Sequence, residues 1–359
     1  MKNKRTIIIT IISALILVSI LGFYLLQGFV DTANSGKGQV FKSFYNEEPD
    51  SLDGVYFGAS SVARYWVPAL AFEETGITIP SLATTAQPFV MTKHMMKEAK
   101  KTQDDAIFII ELRCIYKDPS YTEEEEIRRA TDNLKPSISR MIAIKDSLDD
   151  LDAGGNTIEG SALAVYFPAL ESVKRILNGK LTIGEVSFQK DIEESPYKGF
   201  RLDDQTFQQF EVPESQYNTT DKVPLDPAGE EILNDLLDYC DSIDNEVLFV
   251  VSPYSADKST YPEVNTAIDI IENRGHAVYN MAIDEMVKDI GIDWTTDFYN
   301  SKHTNRLGAE KYTRFLAEYL AEHYHLEDHR EDPVFSDWHD AWEIYKETVY
   351  EMPIGTTIY

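Results

Sequence analysis

The chain has 359 residues, 43% of them hydrophobic, and a net charge of −28 from 61 acidic against 33 basic side chains. That supports one large core or two modest domains. So acidic a surface, with no basic stripe and interleaved aromatics to offset it, excludes nucleic acid as a partner. Only Cys114 and Cys240 occur, far apart and without CxxC or Cys/His spacing, so neither a disulfide framework nor a structural zinc is expected, and no cofactor motif is found.

The N-terminus begins with the basic Met1–Arg5, and Thr6 to Val30 carries no charge. Its core Ile7–Leu26 would span a bilayer core of ~30 Å at ~1.5 Å per residue. Phe23, Tyr24, Leu25, Leu26 and Gln27 offer no small-residue cleavage site, so the segment reads as an uncleaved anchor rather than a signal peptide. Residues 1–30 are therefore expected to be a cytoplasmic basic end and a single membrane span. Lys2, Lys4 and Arg5 stay inside, which puts the body outside the cytoplasm. Residues 31–50, polar with Gly, Ser and Pro, read as a stalk.

Residues 51–325 alternate strand-like apolar runs with helical patterns. The runs end at Phe57, then cover Ile77–Ala83, Ala106–Leu112, Glu246–Ser252 and His276–Met281. Helices are expected over Ser61–Thr75, Gln87–Lys101, Asp226–Ser242, Pro262–Arg274 and Leu307–Tyr324. This alternation argues for an α/β fold with a central parallel sheet of about five strands covered on both sides. An insertion over 113–245, helical across Thr122–Leu148, interrupts it and would form a lid or substrate wall. Residues 326–359 read as a helical extension, with Phe335, Trp338, Trp342, Tyr345 and Val349 on one packing stripe.

The chemistry concentrates in two stretches. In Gly54–Pro68 (GVYFGASSVARYWVP) a strand ends, Gly58-Ala59-Ser60 turns, and a helix begins. Ser60 there is either a helix cap or a nucleophile whose own N–H faces a developing oxyanion. Far downstream, His303 lies in a loop between the last strand and a helix. In an open parallel sheet the two loops share the crevice beyond the strand ends. A serine hydroxyl needs a base, histidine is the usual one, and the base needs a third group to hold its tautomer. The histidines of HYHLEDH (His323, His325, His329) lack zinc spacing and read as a solvated face; His94 and His276 read as structural.

Phe57-Gly-Ala-Ser-Ser61, Leu82-Ala-Thr-Thr-Ala-Gln-Pro88, Ile110-Glu-Leu-Arg113, Val250-Val-Ser-Pro-Tyr254 and Asp297–Ala309 together resemble the SGNH (GDSL) hydrolase superfamily over roughly residues 51–320. The closer likeness is to its membrane-anchored cell-wall branch, related to D-alanyl-lipoteichoic acid transfer proteins. The resemblance implies a flavodoxin-like three-layer α/β/α fold and metal-free serine chemistry on esters. It makes Ser60 the nucleophile and one oxyanion N–H, and Ala83, where the superfamily has glycine, a second donor. The Asn of the family's GxND is absent, since this chain has Ile110-Glu111-Leu112-Arg113; Gln87 is either a substitute amide donor or an ordinary polar residue at a helix start. The family's Asp three residues before His is Asn300 here, while Asp297, six before, is the only acid in the loop. Either orients His303. Arg113 is expected to meet either an anionic substrate group at the crevice or a surface ion-pair partner, with Trp66 and Asp132-Asn133 lining the same pocket.

The expected activity is that of an outward-facing serine esterase or O-acyltransferase acting on acyl esters of a cell-surface polysaccharide or teichoic-acid-like polymer. The competing expectation is a non-catalytic surface protein on the same fold, binding glycan or partnering a membrane acyltransferase.

Overall fold

A computed structural model describes residues 2–31, 38–113, 119–201, 219–255 and 260–350. Five strands form the central sheet: β1 (Gly54–Gly58), β2 (Ser81–Ala83), β3 (Ile107–Glu111), β4 (Val247–Val251) and β5 (Ala277–Asn280). All neighbours pair in parallel, in the order β2-β1-β3-β4-β5. The protein is thus α/β, consistent with a flavodoxin-like three-layer arrangement. β1, β3 and β4 are buried along their whole length, as unbroken apolar runs such as Ile107-Phe-Ile-Ile require when both faces are covered.

Right-handed crossovers decide which helix covers which face. The β1-to-β2 step runs opposite to the three later steps, so its helix lies on the other side of the sheet. Accordingly Pro68–Thr75 packs on the helix Arg306–His323, while Val90–Ala99 packs on Pro227–Cys240. The strand order reverses between β1 and β3, and the crevice beyond their C-terminal ends is where such sheets place chemistry.

Several local expectations change, each for a physical reason. Ser61–Thr75 is not one helix. Pro68 drives Val67 out of the helical region (φ −105°, ψ 90°), leaving a four-residue helix Ser60–Ala63 and a second one from Pro68. The insertion's helix likewise divides around Pro136 into Glu124–Thr131 and Ile138–Ala153. Within the expected stalk, Gln39–Asn46 is a helix whose Phe41 and Phe44 are buried in the main core. Phe335, Trp338, Trp342, Tyr345 and Val349 are all buried, Trp338 against Phe72.

The N-terminal helix Lys2–Gly28 is long and apolar enough to cross a membrane, and most of its apolar stretch is exposed, with Phe23 and Tyr24 near its end meeting Phe167 and Phe188. Its C-terminal end is fastened to the insertion. Phe29–Asp31 pairs antiparallel with Val186–Phe188, Ser137 N–H donates to Gln27 Oε1 (3.0 Å), and Arg140 donates to the Gln27 carbonyl (2.7 Å). The insertion returns to the sheet at Lys198, whose carbonyl accepts from Ser81 N–H, and at Arg201, whose N–H donates to the Ala63 carbonyl at 2.6 Å. Residues 202–218, which belong to the expected lid, lie outside the described residues.

Candidate active site

β1 delivers its last residue, Gly58, beside Ala83 of β2. A Cβ at Gly58 would stand 2.7 Å from Val62 Cγ2 and 2.9 Å from Glu111 Cβ, so only glycine lets the chain turn this tightly against β3. Ala59 is the cap of the short helix and Ser60 its first residue. Ser60 therefore does not cap; its hydroxyl is committed elsewhere. Its N–H, in the first turn of the helix, has no intrahelical acceptor. Ser61 is buried, whereas Ser60 is partly exposed at the crevice.

The late loop is a small antiparallel hairpin, Phe298–Asn300 against His303–Thr304, with Asn300 opposite His303. It is welded to the helix Arg306–His323. Asn305 caps that helix by accepting from the N–H groups of Leu307 and Gly308, and its own N–H donates to the Asp297 carbonyl (3.0 Å). At Gly308 a Cβ would sit 2.4 Å from that same carbonyl, so glycine is required for the helix to press this closely on the loop.

The result is a relay. His303 Nε2 lies 2.8 Å from Ser60 Oγ, and His303 Nδ1 lies 3.0 Å from Asn300 Oδ1. The proton positions follow from one group that can only donate. Lys302 N–H donates to Asn300 Oδ1 (2.9 Å), which fixes the amide with its oxygen toward the ring. Nδ1 must then carry the hydrogen, Nε2 is left with its lone pair, and the Ser60 hydroxyl donates to it. Tyr299 stacks on the imidazole (5.6 Å between centroids, 11° between planes) and is held by Arg64, which hydrogen-bonds its hydroxyl.

Of the two candidate orienters, the structure brings Asn300 to His303 and not Asp297. Asp297 is fully buried beneath the loop, where its carboxylate accepts from Asp293 N–H (2.7 Å), Thr296 Oγ1 (2.9 Å) and Lys311 Nζ (2.8 Å). It is a staple between the loop and the helix Arg306–His323.

Arg113 departs from expectation in the same way. It is buried and does not front the crevice; its guanidinium donates to the Tyr65 hydroxyl (2.9 Å) and to the Lys302 carbonyl (2.9 Å), sandwiched between the rings of Tyr65 and Tyr254. Tyr65 in turn donates to the Pro253 carbonyl (2.7 Å), and burial pushes its phenol up to about 12, keeping it a donor. Arg113 and Tyr65 thus clamp the loop one residue before His303. Glu111, at the end of β3, accepts from the N–H groups of Arg113 and Ser252, and burial raises its carboxyl above the usual range. Trp66 is fully buried, its indole N–H donating to the Ile79 carbonyl (2.7 Å), so it presents no surface to the crevice. Asp132 and Asn133 lie with Val30 and Asp31 at the end of the N-terminal helix instead. Sequence reasoning missed Tyr65, Tyr299 and Arg64, although all three stand beside motif residues; aromatic residues flanking a loop histidine were the available signal.

Two oxyanion candidates keep suitable surroundings. Ala83 sits at the end of β2 beside Gly58. Gln87 follows Ala86, which is held at φ 53°, a left-handed conformation unusual for alanine. Its Oε1 accepts from Thr84 Oγ1 (3.3 Å), while its buried Nε2 has no hydrogen-bond partner among the described residues. A buried amide donor without an acceptor is costly unless something else supplies the acceptor.

The remaining histidines scatter. His94 meets Asp146 (3.0 Å), His276 meets Asp241 (2.8 Å), His329 meets Asp53 (3.2 Å), and His323 faces the Tyr319 carbonyl (3.1 Å). No protein-family model and no curated protein matches this sequence, so the meaning of the site rests on its geometry.

Proposed function

We propose that this chain is a serine ester hydrolase or O-acyltransferase of SGNH type, carried by its N-terminal helix with the body outside the membrane and acting on acyl esters of a cell-surface polymer. The observation that carries the reading is the relay Ser60–His303–Asn300, at 2.8 and 3.0 Å, at the C-terminal edge of the sheet where the strand order reverses.

His303 Nε2 takes the hydroxyl proton as Ser60 Oγ attacks the ester carbonyl. The carbonyl oxygen becomes an oxyanion, received by the backbone N–H groups of Ser60 and Ala83 and by the Gln87 amide. The imidazolium then gives its proton to the departing alkoxide, leaving an acyl-serine. Water, or a hydroxyl of a glycan or polyol, attacks that intermediate in the reverse sense, with His303 again the base. Asn300 holds the tautomer but brings no charge to the imidazolium, so this relay is a weaker base than one ending in a carboxylate.

A fluorophosphonate probe on the full chain in detergent tests this. Covalent labelling at Ser60, absent in Ser60→Ala and strongly reduced in His303→Ala, is expected. The uncharged third member also favours a second reading, a non-catalytic binder on the same fold; a full chain that stays unlabelled would establish that reading and end the enzymatic one.

A further inference from the structure

The insertion carries an apolar stripe that the interior of the protein does not use. On the short helices Ala162–Tyr166 and Pro168–Leu177, Leu163, Leu170, Val173 and Leu177 recur at helical spacing and all face solvent, Leu163 at 59% and Val173 at 52% of full exposure. The opposite side, Pro168 and Ser172, is buried. A helix with one buried side would ordinarily turn its polar residues outward. Here the outward side is greasy, in a chain whose surface is otherwise strongly acidic.

What covers the stripe follows from where it is fixed. Pro168–Leu177 packs directly on the N-terminal helix, and Phe167 meets Phe23 edge-to-face at 6.1 Å between centroids. Phe23 lies three residues before the end of the apolar run at Leu26, so the contact falls ~4.5 Å inside that end, at ~1.5 Å per residue. If the run spans a bilayer, Phe167 and its neighbour Leu163 are held at the depth of the headgroup–acyl boundary. On the other flank, Ser137 is bonded to Gln27, and the next residue, Ile138, and Ile142 one turn on are also exposed. Exposed apolar side chains therefore surround the point where the helix leaves the membrane, with Lys174 and Lys180 beside them, the composition of an interfacial segment.

We infer that the segment Ala162–Leu177 of the insertion lies in the lipid interface, giving the body a second contact with the bilayer beside the span. This rests on the reading of Lys4–Gly28 as a membrane span.

The test uses the full chain with Cys114→Ala, reconstituted in phosphatidylcholine vesicles and spin-labelled at Leu163→Cys or Val173→Cys, with Val334→Cys as the control on an exposed turn near the chain's end. Labels at 163 and 173 should collide with oxygen and be shielded from a water-soluble nickel chelate, at a depth of about 5–10 Å, whereas the label at 334 should report water. A chain that resists alkaline extraction but shows nickel-accessible labels at 163 and 173 overturns the interfacial contact alone, and leaves the stripe to a protein partner. A chain released by alkali overturns the span and this contact together.

Discussion

Replacing Asn300 separates orientation from charge at His303. Asn300→Ala removes the acceptor 3.0 Å from Nδ1 and the group that selects the tautomer. A neutral hydrogen bond contributes about 1 kcal/mol, and losing the tautomer lock adds to it, so turnover should fall roughly 5- to 30-fold, about 1–2 kcal/mol of barrier. Asn300→Asp keeps the acceptor and adds a negative charge. At such a distance the attraction runs from about 1 kcal/mol in water to about 4 at an effective dielectric of 20. Because Asn300 and His303 are both partly exposed, the low end applies. Stabilising the imidazolium raises the His303 pKa, so the acidic limb of the rate profile should move about one unit to higher pH. Above that limb the rate should match or exceed that of the native chain. Asp297→Asn is the contrast. It discharges a fully buried carboxylate with three donors, so stability should fall by about 2–3 kcal/mol, and any rate loss should follow the fraction unfolded. The assay is hydrolysis of p-nitrophenyl acetate across pH 5.5–9 by the full chain in detergent, with melting curves on each variant. If Asn300→Ala turns over normally while Asp297→Asn is inactive yet fully stable, the assignment is wrong.

Gln87→Ala should lower kcat roughly 10- to 100-fold and leave the melting temperature unchanged, since the lost Nε2 has no partner among the described residues. Gly308→Ala forces a methyl group to 2.4 Å from the Asp297 carbonyl; the loop must shift, with a cost of about 1–3 kcal/mol by melting and a matching loss of fluorophosphonate labelling. Arg113→Lys cannot reach both the Tyr65 hydroxyl and the Lys302 carbonyl, so kcat should drop equally for neutral and anionic esters; selective loss with anionic esters would return Arg113 to substrate binding. For His94, burial first of all lowers the pKa from 6.5 to about 4 in the folded chain. Between those values the unfolded chain binds more protons, so stability is fully present above 6.5 and is lost as pH falls toward 4. The melting-temperature gap between the native chain and His94→Gln should therefore shift against the native chain as buffer moves from pH 7.5 to 5.

The strands were legible because β1, β3 and β4 are buried on both faces, and such strands must read as unbroken apolar runs. The serine turn was legible because a glycine, a small residue and a serine follow one of those runs directly. What could not be read was direction. Asp297 and Asn300 are both oxygen-bearing residues upstream of one histidine, and only the hairpin that sets Asn300 opposite His303 decides between them. Arg113 looked like a substrate cation because a charged residue after a strand is usually solvated; here Tyr65 and Tyr254 enclose it. Trp66 was misplaced because the proline break at Pro68 turns the chain inward sooner than a single long helix would.

Ser60 and His303 stand 243 positions apart, and the clamp on the histidine draws on the middle of the chain as well as its end. A ribosome adding roughly 5–20 residues per second needs about 10–50 s to cover that interval. If Ser60 is the nucleophile, the emerging polypeptide holds an alcohol without its base throughout that time, and it should stay inert until the helix Arg306–His323 has docked. On the proposed function, reactivity toward an electrophile should report complete maturation, and a chain truncated before residue 303 should be as silent as one that never folded.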